Sequence, residues 1–512
     1  MFKKDSITAD FTASLVVFFV ALPLCLGIAL ASGAPIISGL IAGIAGGIIV
    51  GLISGSHTSV SGPAAGLTVV VLGSIEQLNG FQIFLAALVI AGAMQILLGF
   101  LGAGIIGNFV PSSVIKGMLA AIGIILIFKQ LPHAFGYDKD FEGDESFQQI
   151  DNHNTFSELL ELGNHVTIGA VVIAMITFLV LYFGENKNIK RFSIFKMVPI
   201  SLIAVVLGTV ANIIFESYYE PFKLEPEHLV QVPNVLDPTN FNFPDFKQIG
   251  NTLVWIVAIK IALVASLETL LSIEATDKLD PEKRITPTSR ELIAQGTGNL
   301  VSGFIGGLPI TAVIVRSSAN IVAGNKTKLS AILHGTMLVI FVLLFPKILN
   351  KIPLSALAVL LIFVGFKLTK PALYIQQFKS DIDQFLPFII TVIAIVFSDL
   401  LMGVGIGLVV SFFFIIRSSF KRAVSIAIDG SNYIIILKGN VSFLNKAFLR
   451  EKFETLPEHS NMIIDGTSAT YIDKDIIELL DDLQELAIHR NIAIEKKTST
   501  DSLNPYFRVE KI

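Results

Sequence analysis

Apolar residues run through this chain in long stretches, broken more often by glycine and proline than by charge. Phe11–Ile75 holds no Asp, Glu, Lys or Arg, and Gln77–Ile115 holds none either. Such runs lack the polar face that a surface helix turns to water, and a membrane-spanning helix needs about 20 predominantly apolar residues. Run length and Gly/Pro breaks predict about fourteen membrane segments, over 11–30, 36–54, 63–77, 81–101, 109–130, 166–183, 193–213, 251–275, 290–306, 310–323, 329–349, 353–367, 384–399 and 401–420. Two of them, 63–77 and 310–323, are too short to cross ~30 Å of hydrocarbon. Each follows a break, Ser61-Gly62-Pro63 in the first and Gly306-Gly307-Leu308-Pro309 in the second.

The two halves resemble each other. Pro111-Ser112-Ser113 with Gly123 matches Pro353-Leu354-Ser355 with Gly365, and Pro63 and Pro309 open the two short segments. Short, Gly/Pro-interrupted segments at corresponding places in two halves point to a transporter binding site, although glycine and proline are also common in membrane helices at large. Lys/Arg excess marks the cytoplasmic side. Lys187, Lys190, Arg191 and Lys196 follow the sixth segment; Lys278, Lys283, Arg284 and Arg290 the eighth; Lys326 and Lys328 the tenth; Lys421 and Arg422 the last. The links 131–165 and 214–250 are acidic, carrying Asp138, Asp140, Glu142, Asp144, Glu145, Asp151, Glu158 and Glu161, then Glu216, Glu220, Glu225, Glu227, Asp237 and Asp245. Fourteen segments with both termini inside put every cluster on its expected side. Seven per half, about 11–213 and 251–420, makes the second repeat inverted.

Beyond residue 423 the pattern changes. Ser425–Leu437 and Met462–Asp465 read as strands and Ile476–Ala487 as a helix, so 424–495 is expected to be a small soluble α/β domain with a tail over 496–512. Over all 512 residues, 53% are hydrophobic and only 15% charged. Soluble proteins average about 25% charged residues, so a soluble enzyme is excluded. The start of the chain resembles a signal peptide only superficially, because hydrophobicity continues without a cleavage site, and the first segment is expected to stay. The single cysteine, Cys25, permits no internal disulfide, and a net charge of −4 gives no nucleic-acid footprint.

Candidate chemistry concentrates on the two short segments. Ala64, Ala65, Gly66, Leu67 and Thr68 form a helix start of mostly small residues, as do Thr311, Ala312, Val313, Ile314 and Val315. Small residues let a ligand approach the backbone, and free N–H groups with the helix dipole attract an anion. In an inverted repeat the two starts face each other near the midplane; the competing reading is close helix packing. Arg316, inside an apolar run, adds fixed positive charge beneath the anion or snorkels to the nearby cytoplasmic end. Glu268, deep in the eighth segment with Ser272 one turn on, pairs with a partner such as Arg316 or serves as the coupling group for a proton or sodium ion. Lys260 is also intramembrane, Asp399 is expected to cap a helix junction, and His57 stands beside the first short helix. There is no Walker loop, no Cys/His metal cluster and no serine-nucleophile motif, so neither an enzyme nor a cofactor is expected.

The combination of Ala21-Leu22-Pro23, Ser61-Gly62-Pro63, Pro111-Ser112-Ser113-Val114, Ser266-Leu267-Glu268-Thr269-Leu270-Leu271-Ser272 and Arg316-Ser317-Ser318-Ala319-Asn320 resembles the sulfate permease (SulP) family, which includes the prestin-like anion transporters. The resemblance implies an all-α polytopic fold of the uracil-permease type, a seven-plus-seven inverted repeat whose core holds segments 1–4 and 8–11 and whose gate holds the rest. It also implies Pro23 at the substrate site, a homodimer in membrane lipid, an inner-membrane location, and a cytoplasmic STAS-like domain over 424–495. Leu24 stands where many sulfate permeases carry Gln, and Leu-Pro-Leu-Cys with Glu-Ala-Thr-Asp is similar to the bicarbonate branch, which includes bacterial members linked to carbonic anhydrase. Bicarbonate symport is therefore the leading expectation, with sulfate or dicarboxylate transport, anion exchange or a passive anion channel as alternatives. The sodium-coupled bicarbonate members carry Asp where this chain has Glu268, which turns the expectation away from sodium. Asp473-Lys474-Asp475-Ile476 replaces the phosphorylatable Asp-Ser-Ser-Gly of relatives, which argues for a dimer-forming rather than a switching domain.

Overall fold

The computed structural model describes residues 4–139, 147, 154–162, 165–184, 200–233, 241–429 and 432–497. The basic link Lys187, Lys190, Arg191 and Lys196 lies outside the described residues. So do Asp140, Glu142, Asp144, Glu145, Asp151 and Asp237 and the tail beyond 497. The chain forms two compact units, Met1–Leu408 and Val409–Ile512.

The first unit is built of apolar helices: α1 (Lys4–Ala31), α2 (Ile36–Ile53), α3 (Thr68–Leu78), α4 (Phe81–Phe100), α5 (Ser112–Phe135), α6 (Ile168–Gly184), α7 (Ile200–Tyr218), α8 (Thr252–Leu279), α9 (Thr288–Phe304), α10 (Ile314–Val322), α11 (Leu329–Leu344), α12 (Leu354–Leu368), α13 (Ile382–Phe397) and α14 (Leu400–Ala423), the last of which carries the unit boundary. Eight of the described helices are long and apolar enough to cross a membrane. Helix α8 leaves Ile256, Ile259 and Leu263 exposed along one stripe while Val257, Ile261 and Ala265 are buried, the division expected where lipid wets one face. A short helix, Pro371–Phe378, follows α12.

The helices sort into two groups. In the first, α1 packs on α11 and α10, and α8 and α9 pack on α4. In the second, α5 packs on α12 and α13, and α6 on α7 and α12. Helices α5 and α12 cross at Gly123 and Gly365: a Cβ on Gly123 would lie 2.6 Å from the Gly365 carbonyl oxygen, and one on Gly365 2.8 Å from that of Gly123. No side chain fits there, so the backbones meet directly.

The all-helical expectation needs one correction. The two short segments do not begin as helices but as strands, β1 (Ser61–Pro63) and β2 (Ile310–Ala312), paired antiparallel with Ser61 opposite Ala312 and Pro63 opposite Ile310. Backbone buried in an apolar interior needs internal hydrogen bonds; the strand pairing supplies part of them and side chains of neighbouring helices supply others.

In the second unit, β3 (Val424–Asp429), β4 (Asn432–Val441), β5 (Asn461–Ile472) and β6 (Ala493–Lys497) lie in that order, the first pair antiparallel and the others parallel. Helices α15 (Lys446–Glu454) and α16 (Lys474–His489) make the crossovers, burying Leu449, Phe453, Leu479 and Leu483 with Ile435 and Ile464 of the sheet.

Candidate functional site

The β1–β2 ladder brings the starts of α3 and α10 together. A single 3-10 turn, Ala65–Leu67, leads into α3, and Val313 leads into α10; no side chain caps either start. The first N–H groups of each helix therefore lack intrahelical partners and point their positive ends at the same place. Of the expected anion-site residues, Gly66 is exposed and Ala65 and Val313 half-buried. Ala64, Leu67, Thr68, Thr311, Ala312, Ile314 and Val315 are buried and form the wall behind them. The Thr68 hydroxyl is not free, because it donates to the Ala65 carbonyl at 2.8 Å.

Helix α8 passes beside both starts. A Cβ on Gly66 would sit 3.1 Å from the Glu268 carboxylate, and the Ala312 N–H donates to the Thr269 hydroxyl at 3.4 Å. Glu268 is 8% exposed and, with Gly66, Val264, Leu271, Leu400 and Leu401, lines a cavity of about 10 Å³, room for roughly one water-sized species. Ser272 is buried one turn further along α8.

Arg316 is the largest fully buried side chain. Its Nη2 donates to Cys25 Sγ at 3.3 Å, while Nε and Nη1 find no hydrogen-bond partner among the described residues. Arg316 Nη1 lies against Gly62, where any Cβ would collide with it, so β1 can pass only because residue 62 is glycine. Arg316 therefore does not snorkel. It places an incompletely satisfied charge directly behind the strand pair.

Helix α9 holds the strands in place through amides that the sequence reading did not single out. Asn299 accepts from the Ile310 N–H at 2.5 Å and donates to the Ile310 carbonyl at 2.9 Å and to Gln95 Oε1 at 2.6 Å. One turn earlier Gln295 donates to Ser61 Oγ at 2.6 Å and to Glu291, which also accepts from Ser54 at 2.5 Å. Two amides four residues apart thus clamp one strand each. The available signal was a pair of amides at i, i+4, in a helix that also carries Arg290, Glu291 and several hydroxyl residues and so does not stand out as apolar. Asn299→Ala should orphan both Ile310 backbone groups and cost about 2–4 kcal/mol. The expected result is a lowered melting temperature and uptake reduced about tenfold or more in the protein that remains folded.

The other candidates fall elsewhere. Pro23 lies in α1 and lines a second cavity, about 260 Å³, with Leu26, Ile36, Asp138, Glu227 and Leu354. Lys260 and His57 are exposed. Asp399 accepts from the Met402 N–H at 2.8 Å, the helix cap expected of it.

Beside the second cavity Asp138 accepts from His133 Nδ1 and from His228 Nδ1, each at 2.6 Å, and Glu227 lies 3.8 Å from His228 Nε2. Burial opposes ionisation of Asp138, but the two histidine hydrogen bonds outweigh it and hold its carboxyl below the usual range. The same hydrogen bond lifts His228 above its ordinary 6.5. The depressed acid contributes stability that is lost as pH falls through its folded value, and the raised base contributes stability that is lost as pH rises through its own. Amide protection over 223–232, the exchange rate relative to that of the unfolded chain at the same pH, should therefore be greatest at mildly acidic to neutral pH and fall on the alkaline side, and His228→Gln should flatten that alkaline loss.

Comparison with known proteins bears on the family and the fold. The Sulfate permease family model matches residues 7–393. YvdB of Bacillus subtilis (strain 168) is 28% identical over 422 residues, 81% of this chain and 74% of that one. The bicarbonate transporter BicA of Picosynechococcus sp. (strain ATCC 27264 / PCC 7002 / PR-6) is 26% identical over 415 residues, 79% of this chain and 69% of that one. Among solved structures, SLC26A9 superposes with a TM-score of 0.67 at 17% identity, covering 97% of this chain and 85% of that chain. The transmembrane domain of a cyanobacterial BicA superposes at 0.53 and 24% identity, covering 80% of this chain and 98% of that one. These structures share the fold, that of a helical polytopic membrane transporter, and the chain belongs to the sulfate permease family of anion transporters.

Proposed function

We propose that this protein is a secondary active transporter of bicarbonate, driven by a proton or sodium gradient that acts through Glu268. The observation that carries the reading is the meeting of two uncapped helix starts in front of the buried Arg316 guanidinium, with the Glu268 carboxylate against Gly66. Two dipole ends and a fixed cation suit an anion, and an adjacent carboxylate must be neutralised before that anion can share its cavity. Helices α1–α4 and α8–α11 act as a core that slides against a gate of α5–α7 and α12–α14. The symmetry of the packing supports a seven-plus-seven inverted repeat: α1 on α11 mirrors α8 on α4, and α5 on α13 mirrors α12 on α6. The protein is read as a homodimer in the inner membrane with both termini cytoplasmic, and its second unit as a STAS-like domain that helps assembly. A functional link to carbonic anhydrase follows if bicarbonate is the cargo.

Sulfate is the second reading, favoured by High affinity sulfate transporter 2 of Stylosanthes hamata, 21% identical over 440 residues, 79% of this chain and 64% of that one. Uptake of labelled bicarbonate, sulfate and succinate into proteoliposomes, under separately imposed sodium and pH gradients, decides among them. Bicarbonate accumulated above its equilibrium level under one gradient is the expected result. Preferential accumulation of sulfate would transfer the assignment to the second reading, and gradient-independent equilibration would show a channel.

A further inference from the structure

At the end of the first unit where α8 and α12 finish, a cavity of about 530 Å³ is lined by five lysines, Lys116, Lys278, Lys283, Lys367 and Lys370. They come from α5, from α8 and the turn after it, and from α12 and the turn after it, so the pocket bridges the two helix groups. Lys116, Lys278 and Lys367 are half-buried. None of the lining residues is acidic, and no carboxylate lies within ion-pair distance of Lys116 or Lys370 among the described residues. Glu274, 3.4 Å from Lys278, supplies one carboxylate nearby. Lys278 also donates to Ser112 at 3.1 Å, Lys283 to the Lys278 carbonyl at 2.5 Å, and Lys367 lies 4.5 Å over the Phe363 ring. The remaining wall is apolar, with Leu119, Leu368 and Leu373 prominent.

We propose that this pocket binds a phosphate-bearing polyanion that has an apolar body. Converging half-desolvated ammonium groups repel one another, and a ligand with several phosphate charges removes that repulsion where bicarbonate or sulfate, with one or two charges, removes only part. Lysine is a point-charge phosphate binder, and the volume falls in the range of about 300–1,000 Å³ that encloses a mononucleotide-sized molecule. The apolar wall seats the rest of the ligand. Two sources share this chemistry, a free nucleoside polyphosphate and the headgroup of an anionic phospholipid. Bound across both helix groups, either one clamps them. That consequence rests on the transport reading above; the binding itself does not.

The test uses the full-length protein in detergent, with ATP, pyrophosphate and sulfate titrated by calorimetry. Retention of phosphatidylinositol bisphosphate, which carries several phosphate charges, is scored by native mass spectrometry against singly charged phosphatidylglycerol and neutral phosphatidylcholine. Saturable ATP or pyrophosphate binding about tenfold tighter than sulfate, weakened about tenfold in K116Q/K283Q/K370Q, assigns the pocket to a soluble ligand. Selective retention of phosphatidylinositol bisphosphate, lost in that variant, assigns it to lipid. If the triple variant does not fold, K370Q alone, at an exposed position, should weaken binding measurably. Absence of both kinds of binding, binding indifferent to the lysines, or sulfate bound as tightly as ATP would each overturn the proposal. In proteoliposomes the ligand should slow uptake by wild type and not by the variant. Uptake that is absent in both, with binding intact, would count against the transport reading alone.

Discussion

Arg316→Ala is expected to weaken anion uptake by about a hundredfold while leaving the protein folded. A unit charge about 6 Å from a bound anion, at an effective dielectric near 20, contributes roughly 2–3 kcal/mol, which is close to two orders of magnitude in affinity. Stability should move little, for a structural reason. Among the described residues, two of the three guanidinium nitrogens have no hydrogen-bond partner and the third meets the Cys25 sulfur, so truncation strands no buried carboxylate there. Arg316→Lys should restore part of the affinity, because charge matters more here than the planar fork. Radiolabelled uptake over a range of anion concentrations, paired with thermal melting, reads both quantities. Unchanged apparent affinity in the alanine variant would show that the charge serves packing alone.

Glu268→Gln carries the second large effect. The substitution fixes the neutral form, so the anion should still bind and equilibrate, but an imposed proton or sodium gradient should no longer drive accumulation. Glu268 meets Gly66 of the 3-10 turn, and Gln has nearly the shape of Glu, so the variant should melt close to wild type; a large loss of stability would instead point to a fixed pairing with Arg316. Accumulation ratios measured with each gradient applied separately check the claim. A stable Gln variant that still concentrates anion would remove Glu268 from the coupling role.

Much of this architecture is visible in the residue pattern, for identifiable reasons. Helices such as Phe81–Phe100 and Thr252–Leu279 match the apolar runs because a lipid-facing helix must be apolar along its length. The Gly/Pro breaks before residues 64 and 310 marked the two short segments, a few residues ahead of the helices that start at Thr68 and Ile314. The strand pair they hide was not legible: each strand is three residues long, one contains proline, and both lie in apolar sequence without alternation. Asn299 and Gln295 were missed because what they hold is decided by tertiary packing. Gln295 bonds Ser61 in the other half of the chain. The five-lysine pocket was missed for a similar reason. Lys278 and Lys283 were read as markers of membrane side, and only the fold brings them to Lys116, Lys367 and Lys370.

The β1–β2 ladder also sets a timetable for biogenesis. Ser61 and Ala312 are about 250 residues apart in the chain, so at roughly 5–20 residues per second the first strand waits on the order of 10–50 s for its partner to be synthesised. During that interval the start of α3 has polar backbone in an apolar setting without its final hydrogen bonds, a state that favours retention by insertion machinery or chaperones over early folding. The proposed anion site would therefore be a late product of assembly. An N-terminal fragment ending before residue 310 should insert its helices yet leave Ser61–Pro63 unprotected against amide exchange, and supplying the second half as a separate chain should restore that protection.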